Sequence, residues 1–131
     1  MFSRKRAAAA LIGLSMLSSV ISGCERSGPA PPQALLSSSA ARRAGARLFA
    51  EHCAICHGAA GDGQGLRQND MARRSAANLT LPPFSRRSHA GLTFLAIRNG
   101  VRGTAMAPWP SLSDRQTWEL VAYIETLGRE R

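Results

Sequence analysis

The chain has 131 residues, which allows one small domain and no more. Its composition is globular, with 44% hydrophobic residues, and this excludes a disordered chain. Aromatic residues make up only 5% of the chain and the formal net charge is +9, so the core is thin and the surface strongly basic. A small domain with a thin core is often marginally stable unless a bound group reinforces it.

The first 23 residues have the pattern of a secretory signal peptide. Arg4, Lys5 and Arg6 precede a short apolar run that ends in small residues. The run is slightly short for a membrane span and is diluted by Gly and Ser. We predict that residues 1–23 direct export, with an uncleaved membrane anchor as the alternative.

The run ends in the residues ISGC at positions 21–24, which resemble a bacterial lipobox. The resemblance implies that Cys24 is lipidated and becomes the first residue of the mature protein, anchored to a membrane face by its acyl chains. Ordinary cleavage near Ala34, with loss of Cys24, is the alternative. Residues 24–40 are dominated by Pro and Ser without an amphipathic period, so we predict a tether. The domain is then expected to span residues 41–131.

The domain is predicted to begin with a helix over residues 41–55, with Ala44, Leu48 and the edge formed by Phe49 and His52 on one face. Glycines that break regular structure follow the helix, at positions 58, 61, 63 and 65.

The motif CAICH occupies positions 53–57. If Cys24 takes lipid, only Cys53 and Cys56 remain, and an exported protein could pair them as a disulfide. A zinc site would need four ligands, and the sequence holds no second cysteine pair. A thioredoxin-like motif should follow a strand, and none is predicted upstream. Cys-x-x-Cys-His is instead the attachment pattern of c-type haem.

Each residue of this motif has a role in haem attachment. The thiols of Cys53 and Cys56 each add to a haem vinyl group, and their spacing fits the two vinyls when the chain coils tightly. His57 then lies beneath the ring and binds the iron. Electron carriers usually have a second protein ligand to the iron, often Met.

Three residues are candidates for this sixth ligand. Met106 lies in GTAMAPWP, a loop rich in Gly and Pro that suits a ligand reaching across the ring. Met71 lies in a polar stretch and is predicted to be exposed or loosely packed. His89 is the runner-up. We predict Met106 as the ligand.

A short helix is predicted over residues 91–99, with Leu92, Leu95 and Ile97 inward and Gly100 as its stop. A last helix begins at a capping box formed by residues 113–116 and ends at residue 128. The chain is therefore predicted to be all-α. Its long loops are expected because they wrap a haem.

Several features between residues 41 and 128 occur together in one known family. They are Gly45, Phe49 and Cys53 at spacings of four, CAICHG, the Gly-rich loop 58–65, Asn78-Leu-Thr with Pro82-Pro83, residues 97–100, residues 103–108, and residues 120–124. With these features the sequence resembles the single-haem class I cytochromes c of bacteria. It departs from that family at Ala107, because Pro commonly follows the Met directly there.

The resemblance implies a cytochrome c fold, in which three to four helices with long loops wrap around one covalently bound haem c. It implies that His57 and Met106 are the axial ligands and that a carbonyl of Pro82 or Pro83 accepts a hydrogen bond from His57. It also implies that Gly45 lets the aromatic ring of the last helix, Tyr123, approach closely.

The expected function is electron transfer, because a six-coordinate iron has no open site for a substrate. The protein is therefore predicted not to be an enzyme. The alternatives are a haem enzyme or gas sensor with an open sixth site, and a fixed haem-bearing accessory subunit of a respiratory complex.

Removal of residues 1–23 leaves 14 basic residues, all Arg, against eight acidic ones, a net charge of +6. Such a field attracts acidic docking surfaces or an anionic bilayer. The expected partners are an exported dehydrogenase or a cytochrome complex as donor and a terminal oxidase as acceptor, with no nucleic acid. The predicted location is the periplasmic side of the bacterial cell envelope, with a lipid anchor in the inner or outer membrane.

Overall fold

The computed structural model of the chain describes residues 28–67 and 76–128. Its described part contains helices and no strand, which confirms the all-α prediction. None of these helices is long and apolar enough to cross a membrane. In chain order they are α1 (Gln33–Ser37), α2 (Ser39–His52), α3 (Ala54–His57), α4 (Ala90–Asn99) and α5 (Asp114–Leu127), with a 3-10 turn (Arg87–His89) directly before α4.

Helices α2 and α5 cross in direct backbone contact at Gly45. A Cβ atom added to Gly45 would lie 1.9 Å from the carbonyl oxygen of Glu119 and 2.9 Å from the Cβ of Tyr123. One turn further along α2, the ring of Phe49 packs on that of Tyr123 with 5.3 Å between the ring centroids. The predicted close approach of Gly45 and Tyr123 is confirmed.

Helix α5 forms the centre of the core, with α1, α2 and α4 packed around it. It begins at the predicted capping box, in which the backbone N–H of Gln116 donates to Ser113 Oγ and the backbone N–H of Ser113 donates to Gln116 Oε1. Such a box satisfies two of the N–H groups that a helix start leaves without intrahelical partners. Trp118 is buried and stacks on Phe94 of α4 at 4.5 Å between centroids, as expected of a core residue.

Helix α4 is present where it was predicted and ends before Gly100, which has a φ of 68°. The prediction of its inward face was wrong in part. Leu92 is 42% exposed and Leu95 is 37% exposed, whereas Phe94 and Ile97 are buried. The helix is apolar around much of its circumference, so its sequence did not identify which stripe faces α5.

The predicted tether covers residues 24–40, of which the structure describes residues 28–40, and this described part is not a free linker. Residues 33–37 form α1, and the side chain of Leu36 is fully buried in the core. Ser38 caps α2 by accepting a hydrogen bond from Ala41, and Arg42 donates to the carbonyl of Leu36 at 3.3 Å. A short helix with one large apolar anchor therefore belongs to the folded domain, although Pro and Ser surround it in the sequence.

We expect Leu36→Ala to lower the free energy of unfolding by about 2–5 kcal/mol, because it removes a fully buried side chain from a packed core. Chemical denaturation of the haem-bound protein measures this. Ser37→Ala, an exposed change in the same helix, is the control and should stay within about 0.5 kcal/mol of the wild type. Equal stability of the Leu36 variant and the control would mean that this segment is not part of the fold.

Candidate functional site

The CAICH motif lies at the junction of α2 and α3. Cys53 is the C-cap of α2, and its backbone N–H donates to the carbonyl of Phe49 at 2.8 Å. The N–H groups of Cys56 and His57 both donate to the carbonyl of Cys53, at 3.1 and 2.9 Å. This tight coil places two half-buried free thiols one turn apart, followed at once by an imidazole.

The thiol of Cys53 does not have the character of an attacking redox cysteine. Burial raises the pKa of the Cys53 thiol to about 11, and the neighbouring Cys56 adds a smaller contribution in the same direction. The thiol of Cys53 is therefore neutral at pH 7. The attacking cysteine of a thioredoxin-like motif has a lowered pKa instead.

The orientation of His57 is determined by its hydrogen bond to a backbone carbonyl. Its Nδ1 lies 3.1 Å from the carbonyl oxygen of Ala77. A carbonyl can only accept, so Nδ1–H is the donor in this contact, and in the neutral imidazole Nε2 then keeps its lone pair. A histidine held in this way is ready to bind a metal through Nε2.

The glycine loop after His57 brings this acceptor into place. The backbone of the loop folds back onto the motif, because the N–H of Gly63 donates to the carbonyl of His57 at 2.8 Å. The N–H of Leu79 then donates to the carbonyl of Gly61 at 2.7 Å, which pairs the loop with the segment after residue 76. Gly63 has a φ of 83°, and an added Cβ atom would lie 2.7 Å from the carbonyl oxygen of Ala76, so a larger residue does not fit.

The structure therefore corrects the expectation that Pro82 or Pro83 supplies the acceptor. Ala77 lies before the turn in which the side chain of Asn78 accepts from both the N–H and the hydroxyl of Thr80. The proline pair follows that turn. Nothing in the sequence marks Ala77, because any residue offers the same carbonyl and only the loop contacts select it.

Met106 lies in the loop between α4 and α5, with its side chain packed against the core. The loop is closed by the N–H of Val101, which donates to the carbonyl of Met106 at 3.1 Å. The N–H of Met106 donates in turn to Thr104 Oγ1 at 3.2 Å. An added Cβ atom on Gly100 would lie 2.6 Å from the carbonyl oxygen of Met106, so this position also requires glycine. The backbone of Met106 is thus held from both sides.

Trp109 joins this loop to the helix that carries the motif. Its backbone N–H donates to the carbonyl of Ile97 in α4 at 3.1 Å. Its indole ring packs on the ring of His52, with 5.1 Å between centroids. His52 directly precedes Cys53, so the Met106 loop is attached to the end of α2 where the motif begins. Sequence reasoning missed this pairing, because neither residue belongs to the motif.

Two of the other predicted residues, Met71 and Cys24, lie outside the described residues. The remaining candidate ligand, His89, is distant from the Met106 loop. His89 lies at the N-terminal end of α4, where its carbonyl accepts from the hydroxyl of Thr93. The Met106 loop follows the C-terminal end of the same ten-residue helix, roughly 15 Å away along its axis.

The side chains of Cys53, Cys56, His57 and Met106 have the chemistry needed to hold one covalently bound haem. Cys53 and Cys56 supply two thiols within a single turn, and His57 supplies a nitrogen of defined protonation. Met106 supplies a soft sulfur in a loop attached to the same helix end. Thioether, imidazole and methionine sulfur are the groups by which proteins hold haem in electron carriers.

Comparison with known proteins agrees with this interpretation. Residues 40–124 match the family model for cytochrome c oxidase, cbb3-type, subunit III. No curated protein matches the chain. Among solved structures, a chain of the reducing HAO-like protein complex of Kuenenia stuttgartiensis is similar, with a TM-score of 0.62 and 24% identity. The alignment covers 69% of this chain and 44% of that one, so the chain spans less than half of that protein and the likeness concerns the fold.

The family match covers most of the chain and includes the motif, the glycine loop and Met106. It implies a covalently bound haem c. Bacterial cytochromes of this type are periplasmic. The chain therefore belongs to the cytochrome c family that the cbb3-type subunit III model describes, whose domains carry electrons on a covalently bound haem.

Proposed function

We propose that this protein is an exported, membrane-tethered cytochrome that carries single electrons through a haem ligated by His57 and Met106. The observation that carries the proposal is the 3.1 Å contact between His57 Nδ1 and the carbonyl of Ala77, which leaves Nε2 as the donor to iron. The thiols of Cys53 and Cys56 lie in the same turn and are the attachment points for the ring.

The haem, when bound, supplies reversible exchange between Fe(II) and Fe(III). The residues of the chain determine how readily that exchange occurs. The hydrogen bond to Ala77 fixes the imidazole of His57 and raises its basicity. The thioether of Met106, if it held the iron, would favour the reduced form and so raise the reduction potential. If His57 and Met106 both held the iron, no position would remain for a substrate, and we infer a carrier rather than an enzyme.

A second candidate is a fixed subunit of a respiratory complex. The matching family model describes a subunit of a terminal oxidase, and this favours an oxidase as partner. A mobile carrier would instead link an exported dehydrogenase or a cytochrome complex to such an oxidase, by docking on acidic surfaces. Copurification from detergent-treated membranes separates the two, because a fixed subunit stays with its complex at high ionic strength.

The optical spectrum of the purified, haem-bound protein tests the ligand set. We expect a c-type spectrum with a methionine-to-iron charge-transfer band in the oxidised form. We also expect no change when carbon monoxide is added to the reduced form, because the sixth position is filled. Ready binding of carbon monoxide would contradict the proposal and favour a haem enzyme or gas sensor.

The lipid anchor has its own test. We expect the native protein to partition with membranes and its N-terminal peptide to begin at Cys24 with acyl chains attached, which mass spectrometry detects. Replacement of residues 1–24 by a cleavable secretory signal should release the haem protein to the soluble periplasmic fraction with an unchanged spectrum. An unmodified Cys24 in a mature protein that still begins at Met1 would show an uncleaved anchor instead.

A further inference from the structure

The described residues that precede α2 pack against the domain. We call residues 28–38 the N-terminal strap. At its start, the backbone of Gly28 lies directly on the backbone of Gly91 in α4, so a Cβ atom added to Gly28 would lie 2.0 Å from the carbonyl oxygen of Gly91. A Cβ atom added to Gly91 would lie 2.9 Å from the carbonyl oxygen of Pro29. Contact this close requires glycine in both segments.

The strap is held at its other end as well. Leu36 is fully buried, and its carbonyl accepts from the guanidinium of Arg42 at 3.3 Å. The N–H of Leu36 donates to the carbonyl of Pro32 at 3.1 Å. Helix α1 packs on α5 as well as on α2. The strap is therefore part of the folded surface from Gly28 onward.

This contact shortens the connection to the proposed lipid anchor. Cys24 and Gly28 are four residues apart, and a fully extended chain of that length spans at most about 14 Å. A free tether from Cys24 to Ala40 would span at most about 55 Å by the same measure. If Cys24 is acylated, Gly28 must lie within the shorter distance of the lipid headgroups, and Gly91 is in contact with Gly28.

The surface around Gly91 has the chemistry of a bilayer contact. Leu92 and Leu95 are 42% and 37% exposed and lie on one face of α4, three residues apart. Arg86, exposed, precedes this helix by one turn, whereas the charge of Arg87 is neutralised by Glu125 at 3.3 Å. Apolar side chains beside a cation bind at the interface of an anionic membrane.

We propose that the strap holds the N-terminal end of α4 against an anionic bilayer. The domain then has a defined orientation relative to the membrane, whereas a flexible tether would let it rotate freely. The proposal rests on the lipid anchor inferred for Cys24. Gly91 and the Met106 loop lie at opposite ends of α4, so the loop stays clear of the contact and accessible to a protein partner.

Site-directed nitroxide labels on the full-length, haem-bound protein test this orientation. Cys53 and Cys56 are used by haem and Cys24 by lipid, so a cysteine introduced by Leu92→Cys is the only thiol left to label. Vesicles of phosphatidylglycerol and phosphatidylcholine provide the bilayer. We expect the collision rate of this label with a water-soluble nickel chelate to fall at least fivefold on reconstitution, and its collision rate with oxygen to rise. Arg102→Cys, on the exposed Met106 loop, is the control and should not change.

A second pair of variants tests the strap itself. Gly28→Val cannot lie on Gly91, so it should restore most of the nickel collisions of the label at residue 92. Ala30→Val, an exposed change in the same strap, should have no effect. Leu95→Cys repeats the measurement if the Leu92 variant loses its native haem spectrum.

The outcomes separate the two proposals. A lipidated protein whose label at residue 92 is as accessible to nickel as the label at residue 102 overturns the orientation and leaves the anchor intact. Protection that persists unchanged in Gly28→Val overturns the role of the strap. A protein that lacks lipid on Cys24 and stays out of the vesicles overturns the anchor and the orientation together.

Discussion

Replacement of Met106 by alanine is expected to remove the methionine-to-iron band, open the sixth position to carbon monoxide and lower the reduction potential. The reduced iron loses the soft sulfur that stabilises it. The fall should be a sizeable part of the roughly 0.8 V over which axial ligands move haem potentials. Spectra with and without carbon monoxide, together with a potentiometric titration, measure all three effects.

Two further variants serve as controls for this result. His89→Ala and Met71→Ala each remove another candidate ligand, and both should keep the wild-type spectrum and potential. Met106→His should keep a six-coordinate iron that does not respond to carbon monoxide, but at a lower potential. An unchanged band in Met106→Ala, with loss of the band in either control variant, would assign the sixth ligand elsewhere.

Gly45→Ala is expected to lower the free energy of unfolding by about 1–3 kcal/mol, the usual range for overpacking in a well-packed core. The added Cβ atom would lie 1.9 Å from the carbonyl oxygen of Glu119, and two backbones cannot separate without disturbing the core around α5. Intrinsic helix propensity alone predicts the opposite effect, because alanine in place of glycine would raise the free energy of unfolding by about 1 kcal/mol. Denaturation of the haem-bound protein decides between the two.

Ala50→Gly provides the matched control on the same helix, because residue 50 is exposed. This variant should lower the free energy of unfolding by about 1 kcal/mol, because an exposed site shows the difference in helix propensity between alanine and glycine without any change in packing. A Gly45→Ala protein that is more stable than the wild type would show that α2 and α5 do not cross as closely as described.

The crossing at Gly45 also matters for the site. Helix α2 ends at the motif, and His52 in its last turn contacts Trp109 of the Met106 loop. A shift of α2 on α5 therefore moves the attachment cysteines relative to that loop. We expect Gly45→Ala to weaken the methionine-to-iron band as well as the fold.

The sequence by itself determined the parts of this protein whose chemistry lies in consecutive residues. Cys53, Cys56 and His57 occupy one turn, so their spacing alone indicates haem attachment, and the family match agrees. The capping box at Ser113 and the stop at Gly100 are equally local, because a helix end is made by residues three or four positions apart.

Only the tertiary structure decided the features that depend on distant segments. The acceptor for His57 is the carbonyl of Ala77, a group that every residue carries. Its selection depends on how the glycine loop, which comes earlier in the chain, packs on the segment that contains Ala77. Leu92 and Phe94 are both apolar, so the sequence does not distinguish the exposed side of α4 from its buried side. The position of α5 decides it, because Phe94 is buried and Leu92 is exposed. The strap from Gly28 has a linker composition, yet burial of Leu36 and contact with Gly91 make it part of the fold. Composition reports an average along the chain, whereas packing is settled by single contacts between residues far apart in sequence.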